Sequence, residues 1–217
     1  MRVLTVTSSI SESVSSGGVE VVVRNLHDLN AERGHLSKIL ALYPKGDKPK
    51  DLIADEHYLF ESKELFTGKS WSSSSIRALL SIGPIIRKYE VIHIHLSKDF
   101  FTPIVLLISR LLKKRILIQT HGMIKSGGKL GNTLANFALR ELIGSRTLIL
   151  HLTDHEKTEL LNVGLRGIFH QINNSVSNWA PRPKKTPRNQ TILFLSRFHP
   201  RKRPLEFVLS AKLISEK

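Results

Sequence analysis

The feature that most constrains this fold is an alternation: short apolar runs of strand length recur between longer segments whose apolar residues fall at helical spacing. Such an order specifies parallel strands joined by crossover helices, because a parallel neighbour is reached only by a connection long enough to carry the chain back across the sheet. Val3 to Thr7, Leu36 to Leu42, Val91 to Leu96, Ile116 to Thr120, Thr147 to Leu152 and Ile168 to Ile172 read as strands. Among the helices, Val22, Leu26 and Leu29 give the first its buried stripe, and Gly34 ends it. Ile76, Leu79 and Leu80 begin a second, which Gly83 and Pro84 interrupt. Pro103 suits the first turn of a third that runs to about Leu112, and Leu130 to Ile143 is a fourth. Thr153 and Glu156 have capping-box spacing at the start of a fifth, which Leu160, Leu161 and Val163 continue and Gly164 stops. Tyr43 to Ser70, broken by Pro44, Gly46, Pro49 and Gly68, reads as irregular chain crossing the surface. The fold class is α/β with a parallel sheet.

Residues 178–189, with Pro181, Pro183 and Pro187 among basic side chains, read as an extended linker, since proline denies the chain helical hydrogen bonds. They separate a domain over residues 1–177 from a tail over residues 190–217. In the tail, Thr191 to Leu195 reads as a buried-type strand, Ser196 to Arg203 as a loop, and Pro204 as the start of a helix carrying Leu205, Val208, Leu209 and Leu213. Units under about 40 residues rarely bury enough surface to fold alone. The tail therefore either packs on the first domain or is the opening βα unit of a second domain that this chain lacks.

With 41% hydrophobic and 24% charged residues the chain is no disordered polymer. The absence of cysteine excludes disulfides, thiolate metal sites and a cysteine nucleophile, and makes a reducing cytoplasm the default location. The apolar run after Arg2 is too short for a signal peptide, and Phe100 to Leu112, interrupted by Thr102, Pro103, Ser109 and Arg110, falls short of the roughly 20 residues of a spanning helix. The net charge of +15 is unevenly spread: residues 1–60 hold 7 basic and 8 acidic groups, residues 61–120 hold 10 and 4, and residues 181–217 hold 10 and 2. Such a field draws polyanions: nucleic acid, anionic lipid headgroups or nucleotide phosphates. Nucleic acid ranks below the others, because aromatics are only 6% and the basic groups are scattered between core elements.

Several residues carry chemistry by position. Gly17 and Gly18 close the loop after the first strand and open a helix, where a parallel sheet exposes backbone N–H groups to an anion; the alternative is a tight turn, and neither a dinucleotide fingerprint nor a Walker sequence is present. His121 and Gly122 directly follow Ile116 to Thr120, so the imidazole emerges at the carboxyl end of the sheet, where ligands of open α/β folds collect; the alternative is a locally bonded loop histidine. His93 and His95 share a face of one strand but lack a third metal ligand nearby in sequence, and read as strand residues at a polar seam. Capping explains Glu156, and turn geometry explains Asn174. Arg197 and Lys202, in the loop before Pro204, form either a diphosphate clamp or a solvated basic cluster.

Taken in order, Gly17-Gly18, Gly34-His35, Val91-Ile-His-Ile-His95, Thr120-His-Gly122, Thr153-Asp-His-Glu156, Asn174-Ser-Val176 and Phe194-Leu-Ser-Arg-Phe-His-Pro-Arg-Lys202 resemble a family 4, GT-B-fold retaining glycosyltransferase. The resemblance implies two facing Rossmann-like domains with helices on both faces of each sheet. The amino-terminal one would bind mainly a glycan or lipid-linked acceptor, the carboxyl-terminal one mainly a UDP- or GDP-linked sugar. It implies that Gly17 and Gly18 line the cleft, that His121 sits by the transferred sugar, that Arg197 and Lys202 hold the donor diphosphate, and that Glu156 and Asn174 belong to the donor- and acceptor-binding set. It calls for no metal and no bound cofactor. Peripheral attachment to the cytoplasmic face of an anionic membrane follows as an expectation, with Arg87, Lys88, Lys113, Lys114 and Arg115 as candidate contacts; the alternative is that these cations complement the dipoles of the helices they follow. Three positions depart from the pattern: Ser175 stands where the family usually has Gly, Asn173 where Pro is frequent, and Arg203 where Gly is common. The family's pair of glutamates eight apart in the second domain has no room here, so the expectation is a truncated chain with weak or no transferase activity alone. A non-catalytic remnant that binds an acceptor or a partner enzyme is the other reading.

Overall fold

Parallel pairing runs through the whole main sheet, as the alternation requires. The computed structural model describes residues 1–13, 18–52, 56–64, 73–97, 99–126, 130–173, 192–196, 198 and 202–215. Contacts divide the chain into two units, Met1–Ser177 and Asn178–Lys217. In chain order the first holds β1 (Arg2–Thr7), α1 (Gly18–Glu32), β2 (Leu36–Tyr43), β3 (Tyr58–Glu61), β4 (Lys63–Glu64), β5 (Ser73–Ser74), α2 (Ile76–Arg87), β6 (Val91–His95), α3 (Phe101–Leu111), β7 (Arg115–Gln119), α4 (Leu130–Leu142), β8 (Leu148–His151), α5 (Asp154–Asn162) and β9 (Ile168–Gln171). The main sheet has the order β3-β2-β1-β6-β7-β8-β9, and β4 pairs with β5 in a small antiparallel ribbon.

Side chains alternate across the strands and sort the helices onto two faces. Leu4, Val6, Leu40, Leu42, Ile92, Ile94, Ile118 and Ile149 form one core with α2, α3, α4 and α5, in which Ile82, Ile86, Phe101, Val105 and Leu160 are fully buried. Ile39 and Ala41 face the other way, against Val19 and Val23 of α1. The architecture is the α/β parallel sheet that the alternation specifies, Rossmann-like with helices on both faces as the family resemblance implies.

Three readings of the sequence need correction in this unit. The segment Tyr43 to Ser70 is not wholly irregular: Tyr58–Glu61 is an edge strand in register with β2, a four-residue run too short to register as periodic. The stripe of α1 is Glu20, Val22 and Val23, with Leu29 38% exposed, because only its first two turns carry buried side chains. In α2 the buried set is Ala78, Ile82, Ile85 and Ile86, while Ile76 and Leu80 are exposed, and the helix runs unbroken through Gly83 and Pro84. Magnitudes account for the last point. Burying Ile85 and Ile86, both beyond the proline, contributes about 3–6 kcal/mol together, against about 3 kcal/mol for a proline in a helix interior. The carbonyl left without its donor belongs to Leu80, which is exposed and can be hydrated.

In the second unit α6 (Pro204–Ser215) begins at the proline, as expected. The strand expected over Thr191 to Leu195 is absent from its described part: residues 192–195 have no regular structure, and Ile192, Leu193 and Leu195 are exposed. A strand forms only against a partner that takes up its N–H and C=O groups, and the described residues of this unit hold only a helix. Arg203 adopts a left-handed φ of 52°, a conformation that glycine takes without strain and other residues resist.

Candidate functional site

Strand order locates the site. From β1 the chain moves through α1 to β2 on one side, and from β6 through α3 to β7 on the other, so β1 and β6 flank the point where winding reverses. A crevice opens at the carboxyl ends of strands at such a point. Two serines just past these strands, Ser8 and Ser97, bring their hydroxyls within 2.7 Å across it. Ser97 also donates to the Asp99 carboxylate, which accepts the Thr102 backbone N–H at 2.8 Å and so satisfies a donor in the first turn of α3. Burial raises the pKa of Asp99, opposed by hydrogen bonds from the backbone N–H groups of Thr102 and Phe101 and from the hydroxyls of Ser8 and Thr102.

One strand over, β7 ends at Gln119 and the chain turns through His121 and Gly122, both left-handed with φ of 50° and 68°. Two successive residues of this kind form a sharp corner, and for a histidine the conformation is strained. Glu156 in the first turn of α5 holds the corner from below. Its Oε1 accepts from the Thr120 hydroxyl at 2.5 Å and from the Gly122 N–H at 2.6 Å, and its Oε2 accepts from the Leu152 N–H at 2.7 Å. The residues on either side of His121 are thereby tied to one buried carboxylate, 5% exposed. Half of the expected capping box is present: the Thr153 hydroxyl accepts from the Glu156 N–H at 3.1 Å. The reciprocal half is replaced, because the Glu156 side chain turns to the His121 corner and to Leu152, leaving the Thr153 N–H aside.

The imidazole of His121 meets His95 at the end of β6, with Nε2 and Nδ1 separated by 2.7 Å. His93, two residues back along the same face, stacks on His95 with ring centroids 4.6 Å apart. Reading these as a polar seam understated them: both are buried, and one is the direct partner of His121. Burial depresses the pKa of His93 to about 4, that of His95 well below the ordinary histidine value, and that of His121 in the same direction with Glu156 opposing. All three rings are therefore neutral at pH 7. Among the described residues no three His, Cys, Asp or Glu side chains are grouped as a metal would require.

A second concavity lies at the opposite, amino-terminal end of β7 and β8. Arg110, Lys114, Arg115 and Arg146 line a cleft of about 520 Å³ there. Lys114 Nζ is held by the carbonyls of Arg87 and Tyr89 at 3.0 and 2.7 Å, and Arg110 donates to the Glu141 carbonyl.

Residues 16–177 match the family model described as Glycosyltransferase Family 4. The chain belongs to that glycosyltransferase family. No curated protein matches it. Among solved structures it is similar to MurG of Acinetobacter baumannii, at 11% identity over 82% of this chain and 69% of that one, with a TM-score of 0.35. A likeness that loose carries no residue across. Of the residues singled out in this family 4 chain, His121 and Glu156 come together at one corner, and Gly18 opens α1 with no atom within 4 Å of a Cβ built on it. Lys202 is exposed in a short turn before α6 of the second unit. Gly17, Asn174 and Arg197 lie outside the described residues. Sequence reasoning read His95 only as a strand residue at a polar seam and passed over Ser8 and Ser97. The signal that finds them is register: β6 pairs with β7 through His95 and Gln119, which sets the end of one strand beside the corner that follows the other. Among the described residues no helix is long and apolar enough to cross a membrane.

Proposed function

We propose that this family 4 chain takes part in transfer of a sugar from a UDP- or GDP-linked donor to a glycan or lipid-linked acceptor. The observation that carries the reading is the His121 corner, strained, tied down by Glu156, and set at the carboxyl end of β7 beside the reversal point. A ligand there meets fixed groups instead of mobile ones, so little ordering remains to be done on binding. In this reading His121 contacts the transferred sugar, Gly17 and Gly18 border the cleft, Asn174 completes the ligand set, and Glu156 acts by holding the corner. Arg197 and Lys202 hold the departing diphosphate, whose negative charge grows as the glycosidic bond to the donor breaks, so cations stabilise the transition state more than the ground state. Titration calorimetry with UDP and GDP tests this. Arg197→Ala and Lys202→Ala are each expected to weaken binding of the preferred nucleotide roughly 10- to 100-fold, the value of a charge-assisted hydrogen bond. Unchanged affinity in both variants overturns the clamp.

The cleft lined by Arg110, Lys114, Arg115 and Arg146 supports attachment to anionic headgroups as part of the same reading. Co-sedimentation with phosphatidylglycerol vesicles is expected to exceed that with phosphatidylcholine vesicles several-fold, and to fall in Arg115→Glu/Arg146→Glu. Equal sedimentation with both lipids counts against it.

A further inference from the structure

We propose that His95 is a positioning residue for His121: by donating from Nδ1 to His121 Nε2 it fixes the second imidazole in its Nδ1–H form, so that His121 meets a ligand as a neutral hydrogen-bond donor and not as a base. The geometry is that of a true ring-to-ring hydrogen bond. The planes are within 14° of parallel, and the centroids stand 5.0 Å apart, about the 2.7 Å between nitrogens plus two ring radii. The rings therefore meet edge to edge in nearly one plane, which aims the lone pair of one nitrogen at the hydrogen of the other.

The direction of the bond follows from what surrounds His95. Its other nitrogen, Nε2, is buried and has no partner among the described residues. A neutral imidazole carries one proton. Were it on Nε2, a donor would be stranded in the core, which native structures avoid more strictly than an under-used acceptor. On Nδ1 the same proton makes the 2.7 Å bond. His121 Nε2 is then the acceptor, and its own proton resides on Nδ1. The stack of His93 on His95 limits rotation of the middle ring, and the Thr120 and Gly122 ties to Glu156 limit movement of the outer one. Both partners are thus held from behind, as a site that must orient a ligand oxygen requires. With its lone pair occupied by His95, His121 has no free basic nitrogen to take a proton from a hydroxyl.

The second half of this inference, the ligand-facing role of His121, rests on the function proposed above; the first half does not. Nitrogen-15 NMR of histidine-labelled full chain, free of ligand at pH 7.5, separates the two. His121 is expected to show a protonated Nδ1 and an unprotonated Nε2. In His95→Leu that preference is lost in favour of Nε2–H, whereas His95→Asn, whose amide NH₂ occupies roughly the position of Nδ1, retains it. A protonated Nε2 on His121 in the unsubstituted chain overturns the proposal, whatever the variants do. Where a sugar-transfer assay responds to this chain, activity is expected to fall at least 10-fold in His95→Leu and to recover in His95→Asn. The NMR result standing while neither UDP nor GDP binds the chain would refute the functional reading and leave the positioning role intact.

Discussion

Glu156→Leu is expected to lower the stability of the chain by about 3–5 kcal/mol, more than any other single change at the site. Three donors converge on this carboxylate, from Thr120, Gly122 and Leu152, and each buried donor left without an acceptor costs about 1–3 kcal/mol. The lower part of that range applies to Thr120, whose hydroxyl can rotate. The loss also releases the corner at His121 and Gly122, which keeps its left-handed conformation only while its surroundings impose it. Two controls separate this effect from helix capping. Thr153→Ala removes the cap and leaves the carboxylate in place, for an expected cost of about 1 kcal/mol. Glu156→Gln keeps one oxygen for Thr120 and Gly122 but turns an amide NH₂ toward the Leu152 N–H, and falls between the two. Thermal unfolding reads all three: for a chain of this size the leucine variant should melt roughly 10 °C or more below the parent. Equal midpoints for Thr153→Ala and Glu156→Leu would mean that the three bonds to the carboxylate contribute no more than the Thr153 cap.

What was legible in the sequence was whatever a local pattern can encode. Val91 to Leu96 and Ile116 to Thr120 read as strands because they are apolar, β-branched and short, and because the only way to connect such runs in parallel is through the helices between them. Gly34 and Gly164 read as helix stops because their φ of 73° and 88° is open to glycine and little else. The failures share a cause. The strand at Tyr58 is visible only beside β2, and the continuation of α2 past Pro84 is decided by what Ile85 and Ile86 find on the sheet. Exposure tells the same story in the second unit, where Ile192, Leu193 and Leu195 have strand-like composition and no described strand to join.

The site divides along the same line. His121 was legible as a residue just past a strand, and Glu156 as a residue three after a capping threonine. Their joining through Gly122 was not, because 34 residues of sequence separate the N–H from the carboxylate that takes it. His95 is the sharper case. Judged alone, two histidines on a strand are polar residues at a seam. Judged beside the corner after β7, with the register His95 to Gln119, one of them is the hydrogen-bonding partner of the histidine at that corner. Composition could not supply that, since the information resides in which strand lies next to which.

The histidine row also makes the fold sensitive to acid, with a sign that can be worked out. His93 titrates at about 4 in the folded chain because burial penalises its charged form, and near 6.5 when unfolded. Between those values the unfolded chain holds a proton that the folded chain refuses, so stability is full above about pH 6.5 and falls as the pH drops toward 4. At pH 5 the loss from this one group is about 2 kcal/mol, approaching about 3 at pH 4. His95, shifted the same way by burial and by its histidine neighbours, adds to it. Asp99 acts in the opposite sense: its pKa is raised, so acidification through its window favours the folded chain. Asp47, Glu90 and Glu159 are lowered by hydrogen bonds and lose their contribution only below the ordinary carboxylate range. His57, lowered to about 4 chiefly by burial, acts in the same sense as the row, so urea unfolding at pH 7.5 and pH 5 isolates the ring at position 93 through the difference between parent and His93→Leu, in which the other groups cancel. The parent is expected to lose at least about 2 kcal/mol between the two conditions, and His93→Leu, which buries an apolar side chain of similar size in place of the ring, to lose about 2 kcal/mol less. Parallel losses in parent and variant would mean that the ring at position 93 takes up its proton in the folded chain as readily as in the unfolded one, and that the row is wetter than its burial implies.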